Sequence, residues 1–176
     1  MKFNKRASIL LASSLMLGSY SLQASSEFNL ECGGASVITK GIFFKNNTLS
    51  YESNGSLSAL PIAEGQVCTV KGLSVSNIGV FCNSANNFVV SDSYFNNGSP
   101  FQTQYKTYRL VVSANAGVTR SELKIKKSSP SLIFTSIQGL NSGFKPHTTS
   151  LLVNANDRSA NCEVLPFSYD GDGTGC

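Results

Sequence analysis

The chain has 176 residues, of which 41% are hydrophobic and only 14% charged, with 14 Lys and Arg, 10 Asp and Glu, and a single His. Lys2, Lys5 and Arg6 supply three of those cations, so most of the formal charge of +4 belongs to the first six residues, and the rest carries 11 basic against 10 acidic groups. A nearly neutral surface with scattered cations excludes nucleic acid as a partner, because that attachment depends on clustered Lys and Arg displacing phosphate counterions.

Met1 to Arg6 form a basic lead, Ala7 to Leu17 an apolar run, and Gly18 to Ala24 a drift into small and polar residues. This pattern predicts a signal peptide over residues 1–24 with cleavage after Ala24, although Leu22 occupies the minus-three position where a small residue is usual. The apolar run falls well short of the roughly 20 residues that span a bilayer, so no transmembrane segment is expected in the mature chain. The basic lead and the Asn- and Ser-rich remainder point to a bacterial exported protein, secreted or periplasmic. Residues 25–176 then form one domain, long enough to bury about 70% of the surface its unfolded chain exposes.

From there the chain alternates short β-forming runs with turn residues, and no window shows apolar positions at helical spacing. Strands are predicted over 36–45, 48–52, 66–71, 76–82, 87–94, 105–113, 122–127, 131–138, 150–153 and 162–169. Between them stand Gly33-Gly34, Asn46-Asn47, Asn54-Gly55, Asn96 to Pro100 and Asn141 to Gly143, which favour left-handed or proline-fixed turns. The expected fold class is all-β, a disulfide-braced antiparallel β-sandwich with a barrel as the alternative. Phe43, Phe44, Phe81, Phe88, Leu110, Val112, Leu132, Phe134 and Phe167 are its expected core, with Val111-Val112 and Leu132 to Phe134 buried on both faces. Lys124, Lys126 and Lys127 alternate with apolar residues and read as the wet face of a strand.

Five cysteines in an exported chain imply two disulfides and one thiol left over. The favoured pairs are Cys68 with Cys82, on consecutive strands, and Cys162 with Cys176, which leaves Cys32 free; the rival pairing joins Cys32 to Cys162. None of the five has a neighbour at the two-to-four-residue spacing of structural zinc sites. Glu31, standing before Cys32, is too large for a lipid-attachment motif.

His147, the one histidine, must carry any Ser-His-Asp or Cys-His mechanism, and no Gly-x-Ser-x-Gly elbow accompanies it. The acidic residues nominate no carboxylate pair of the kind that cleaves glycosides. Asp170, Asp172 and Thr174 resemble the opening half of a calcium loop, but the chain ends before a closing Glu, so calcium would need further ligands and no other cofactor is expected. Asn46, Asn54 and Asn97 open Asn-x-Ser/Thr sequences. Tyr94, Phe95, Phe101, Tyr105 and Tyr108 gather aromatics around a polar loop, a composition suited to stacking on sugars or anchoring a protein. The functional expectation is therefore a non-enzymatic binding or surface-structural protein that recognises a protein or glycan ligand through this aromatic loop. A secreted hydrolase using His147 or a carboxylate pair is one alternative, and an inhibitor or effector presenting a rigid loop is another.

Overall fold

A computed structural model describes residues 27–72, 77–93, 101–113, 118–140 and 147–167. Twelve strands and no helix occur among them: β1 (Phe28–Cys32), β2 (Ala35–Thr39), β3 (Ile42–Lys45), β4 (Thr48–Ser53), β5 (Ser56–Ala59), β6 (Val67–Gly72), β7 (Asn77–Asp92), β8 (Phe101–Ser113), β9 (Val118–Ser128), β10 (Ser131–Leu140), β11 (His147–Asn154) and β12 (Asn161–Phe167). Every pairing is antiparallel. Three two-residue hairpins follow from their turn residues: Gly33-Gly34, Asn46-Asn47 and Asn54-Gly55 all have positive φ, which matches the right-handed twist of the strands they join.

Where the sequence predicts two stacked sheets, the hydrogen bonding is that of a single sheet, in the order β2-β1-β6-β9-β10-β11-β7-β12-β3-β4-β5, curled strongly into a half-barrel. The reason lies in β7. Its two halves, predicted as separate strands, form one 16-residue strand that pairs with β12 along residues 77–83 and with β11 along residues 89–92. Strand β8 follows both halves on the other side. The join is a bulge: Asn83 faces Thr107 and Phe88 faces Tyr105, so Ser84 to Asn87 stand opposite Lys106 alone. Extra residues of this kind bend a strand and increase its twist.

Alternation places one face of each strand inside the curl. Leu132, Phe134 and Ser136 of β10, Leu151 and Val153 of β11, and Leu123 and Ile125 of β9 point inward beside Phe28, Leu30, Ile42, Val80 and Val164. Burial at roughly 25 cal/mol per Å² of apolar surface makes this interior the main source of stability. Val111 and Ile133 are only partly buried, so the runs expected to be covered on both faces alternate instead. Lys124 and Lys126 lie on the outer side as predicted, whereas Lys127 shares the parity of buried Ile125 and lines a cavity at the mouth of the curl.

Two disulfides brace the sheet, and they correct the predicted pairing: Cys32 bonds Cys68, and Cys82 bonds Cys162. Each pair stands directly opposite in register on neighbouring strands, β1 with β6 and β7 with β12. Sequence proximity favoured Cys68 with Cys82, but β6 and β7 are not neighbours in the sheet. Cys32, predicted free, is bonded, and Cys176 lies outside the described residues.

Side-chain hydrogen bonds secure the connections. Thr39, 2% exposed, donates to the carbonyls of Glu52 at 2.7 Å and Gly41 at 2.9 Å, drawing β2 toward β4 where the curl comes nearest to closing. Glu64 accepts from the backbone N–H and the hydroxyl of Ser129 at 2.8 and 2.7 Å, which lowers its pKa and ties the β5–β6 connection to the β9–β10 turn.

Candidate functional site

His147 opens β11, and Thr149 two residues later faces Asp92 across the β7–β11 pairing. The three side chains meet: His147 Nε2 is 2.9 Å from Asp92 Oδ1, Thr149 donates to Asp92 Oδ2 at 3.2 Å, and Thr149 Oγ1 is 3.4 Å from the same Nε2. A nucleophile–base–carboxylate relay needs hydroxyl and carboxylate on opposite ring nitrogens. Here both meet Nε2, and Thr149 is only 4% exposed. The arrangement is that of a polar clasp at the strand ends, continued by Ser93, whose N–H and hydroxyl both donate to the Thr148 carbonyl.

Of the predicted aromatic loop, Tyr94 and Phe95 lie outside the described residues, and Phe101 is the first residue of β8, opposite Asp92. Tyr105 and Tyr108 are brought together with ring centroids 5.1 Å apart and pack, half-buried, against the core. Normal alternation would send them to opposite faces. The bulge changes the phase of β8, leaving Lys106 and Thr107 both exposed and turning both tyrosines inward. Burial raises the Tyr108 pKa, with the Asp92 carboxylate and Tyr105 adding to the shift. Asp170, Asp172 and Thr174 lie outside the described residues, among which no group of three or more His, Cys, Asp or Glu side chains is placed to hold a metal.

The outer face carries residues that the sequence misplaced. Phe43 and Phe81, expected in the core, alternate outward, and Phe167 is buried at 7% beside Phe81, with centroids 6.1 Å apart, rather than in the interior cluster. Phe81 stands in register with Arg109 on β8 and Glu163 on β12, while Asn83 stands in register with Thr107 and Asn161. These six positions, together with Cys82 and Tyr108, line a cleft of about 280 Å³. Gly79 makes room for the Phe81 ring: a Cβ there would lie 2.6 and 2.7 Å from two of its carbons, so the ring approaches the strand backbone at that point. Arg109 extends to within 5.4 Å of the Phe167 ring centroid, a cation–π distance. Phe43 repeats the arrangement over Gly41 on β3. The Gly-x-Phe pattern at both positions was the sequence signal for outward rings.

A larger cavity of about 520 Å³ opens at the mouth of the curl, where Phe44, Leu49, Leu60, Ile62 and Leu132 meet Lys127. Leu60 and Ile62 also pack against the core, so this space is a margin of the interior.

No protein-family model, no curated protein sequence and no solved structure matches this chain.

Proposed function

We propose that the chain is an exported, disulfide-braced binding protein, secreted or periplasmic after loss of its signal peptide, that engages its ligand through the outer-face cleft of β7, β8 and β12. The observation that carries this reading is the composition of the cleft. One aromatic ring seated on backbone is surrounded by Arg109, Glu163, Asn83, Asn161 and Thr107, all held by paired strands. Recognition sites combine such an apolar anchor with a few placed polar groups, and a rigid sheet reduces the ordering cost of binding. The Cys82–Cys162 bond, directly beneath, fixes β7 to β12. Half-buried Tyr105 and Tyr108 pack against the core, and Tyr108 also lines this cleft, so the contact region takes in one of the predicted aromatics.

The test is a nitrogen-15 NMR screen of the oxidised protein against a mixed library of saccharides, short peptides and nucleotides. Specific binders should shift the amide signals of residues 79–83, 107–111 and 161–165. Shifts confined to β1, β2 or β5 would overturn this assignment.

A further inference from the structure

Resting on that reading of the cleft, we infer that its ligand is a neutral glycan chain, with one pyranose unit stacked on Phe81 and a unit further along the same chain reaching Phe43. Size is the first argument: about 280 Å³ falls just below the range of ligand pockets, which begins near about 300 Å³, and suits a single sugar ring within an open groove. The second is the platform. The partly exposed Phe81 ring is held in place by its contact with Gly79, and the C–H face of a pyranose packs on an aromatic ring with little loss of side-chain entropy.

The polar rim then selects the chemistry. Asn83 and Asn161 offer donors and acceptors, Thr107 a hydroxyl, Glu163 acceptors and Arg109 donors, a mixture that matches the paired donor–acceptor character of sugar hydroxyls. An apolar peptide anchor would leave these groups unmatched. One Arg and one Glu give the cleft no net charge, so a neutral ligand is favoured over an anionic one.

Extension along a chain follows from the register. Glu163 stands opposite Phe81 on one side and Phe43 on the other, so the two rings belong to strands separated by two spacings, about 9.6 Å. Strand β12 is antiparallel to both β3 and β7, which therefore run in the same direction, and each ring leans onto the glycine two residues before it. A linear chain of equatorially linked sugars crosses β12 and meets both rings.

The experiment is isothermal titration of the oxidised protein with glucose, cellobiose, cellohexaose and chitohexaose, with maltohexaose as the helically linked comparator. A β-linked hexasaccharide should bind at least about tenfold tighter than the disaccharide, because the second contact becomes intramolecular. Glu163→Gln and Phe81→Ala should each weaken binding roughly tenfold, and Phe43→Ala should affect the hexasaccharide alone. Glu163→Gln keeps the volume of the side chain and serves if Phe81→Ala fails to fold. Absence of heat with every saccharide overturns the glycan inference, and the cleft reading survives if peptides or nucleotides still shift residues 79–83 and 161–165. Saccharide binding unchanged in both Glu163→Gln and Phe81→Ala overturns the two together. Self-association abolished by Phe81→Ala would identify the face as a contact between copies and overturn the glycan inference.

Discussion

Cys82 and Cys162, 80 residues apart in the chain, face each other across β7 and β12 with their α-carbons 4.2 Å apart. Cys32 and Cys68 repeat the arrangement across β1 and β6 at 4.4 Å. Both spacings match the close, non-hydrogen-bonded pairs of antiparallel sheets, near about 4.5 Å.

The loops closed by the two bonds, residues 32–68 and 82–162, do not overlap, so their effects on the unfolded chain are separable. Loop-closure entropy gives about 4.5 kcal/mol for the longer and about 3.8 kcal/mol for the shorter. Replacing Cys82 and Cys162 with Ala should lower stability in chemical denaturation more than replacing Cys32 and Cys68, and the combined variant should show nearly the sum. Thiol titration of the denatured, unreduced protein should give one reactive group per chain, mapped to Cys176.

Gly79 has no room for a methyl group beneath Phe81. Gly79→Ala should lift the ring and destabilise the protein by about 1–3 kcal/mol, the usual cost of overpacking. In a Phe81→Ala background the same substitution should be nearly neutral, and a double-mutant cycle on thermal unfolding measures the coupling.

Asp157 receives hydrogen bonds from Ser84 at 2.5 Å and from the N–H and hydroxyl of Ser159 at 2.9 and 2.6 Å, anchoring the β7 bulge to the β11–β12 turn. These bonds, led by that of the Ser159 hydroxyl, push its pKa down from 3.8 to about 2. A depressed folded-state pKa means that the contribution is complete above pH 3.8 and is lost as pH falls through 2. Stability should decline over that window, and Asp157→Asn should flatten the decline while costing, after solvent screening, about 1 kcal/mol at neutral pH.

The His147–Asp92 hydrogen bond joins the start of β11 to the end of β7. Substituting His147 with Ala or Asp92 with Asn should each cost about 1 kcal/mol, and the double variant should cost less than the sum because the two share one hydrogen bond. Any hydrolytic activity found for the protein should persist in folded His147→Ala; its loss would restore the histidine to a chemical role.

Tyr105 and Tyr108 stack on each other and on the core, so their joint replacement with Ala should unfold a fraction of the protein or lower its melting temperature by several degrees, consistent with about 3 kcal/mol or more for deleting packed aromatic rings. Replacing Tyr105 with Phe keeps the ring and should leave stability close to wild type.

Local features were legible because they depend on neighbouring residues. The turns at Gly33-Gly34, Asn46-Asn47 and Asn54-Gly55 follow from their residues, although β1 and β5, which the first and last of them join, lie outside the predicted strands. What escaped depends on pairing between distant segments. Residues 83–86 form a break between two predicted strands, and only the continuous ladder of β8 shows that Ser84 to Asn87 are a bulge within one strand. That single difference merges two expected sheets and alters the inward phase of β8. The disulfide partners escaped for the same reason, since β1 beside β6 and β7 beside β12 are facts of sheet order. Outward Phe43 and Phe81 were assigned to the core on hydrophobicity alone, although Phe44 and Val80, their immediate neighbours, occupy the inward positions.

Strand β3 takes its place in the sheet between β4, which follows it at once, and β12, the last strand described. As the polypeptide is synthesised, one edge of β3 therefore stays bare and bond-seeking until β12, more than a hundred residues later, has appeared. Long-range pairings of this sort slow maturation and expose half-made sheets to aggregation in the interval.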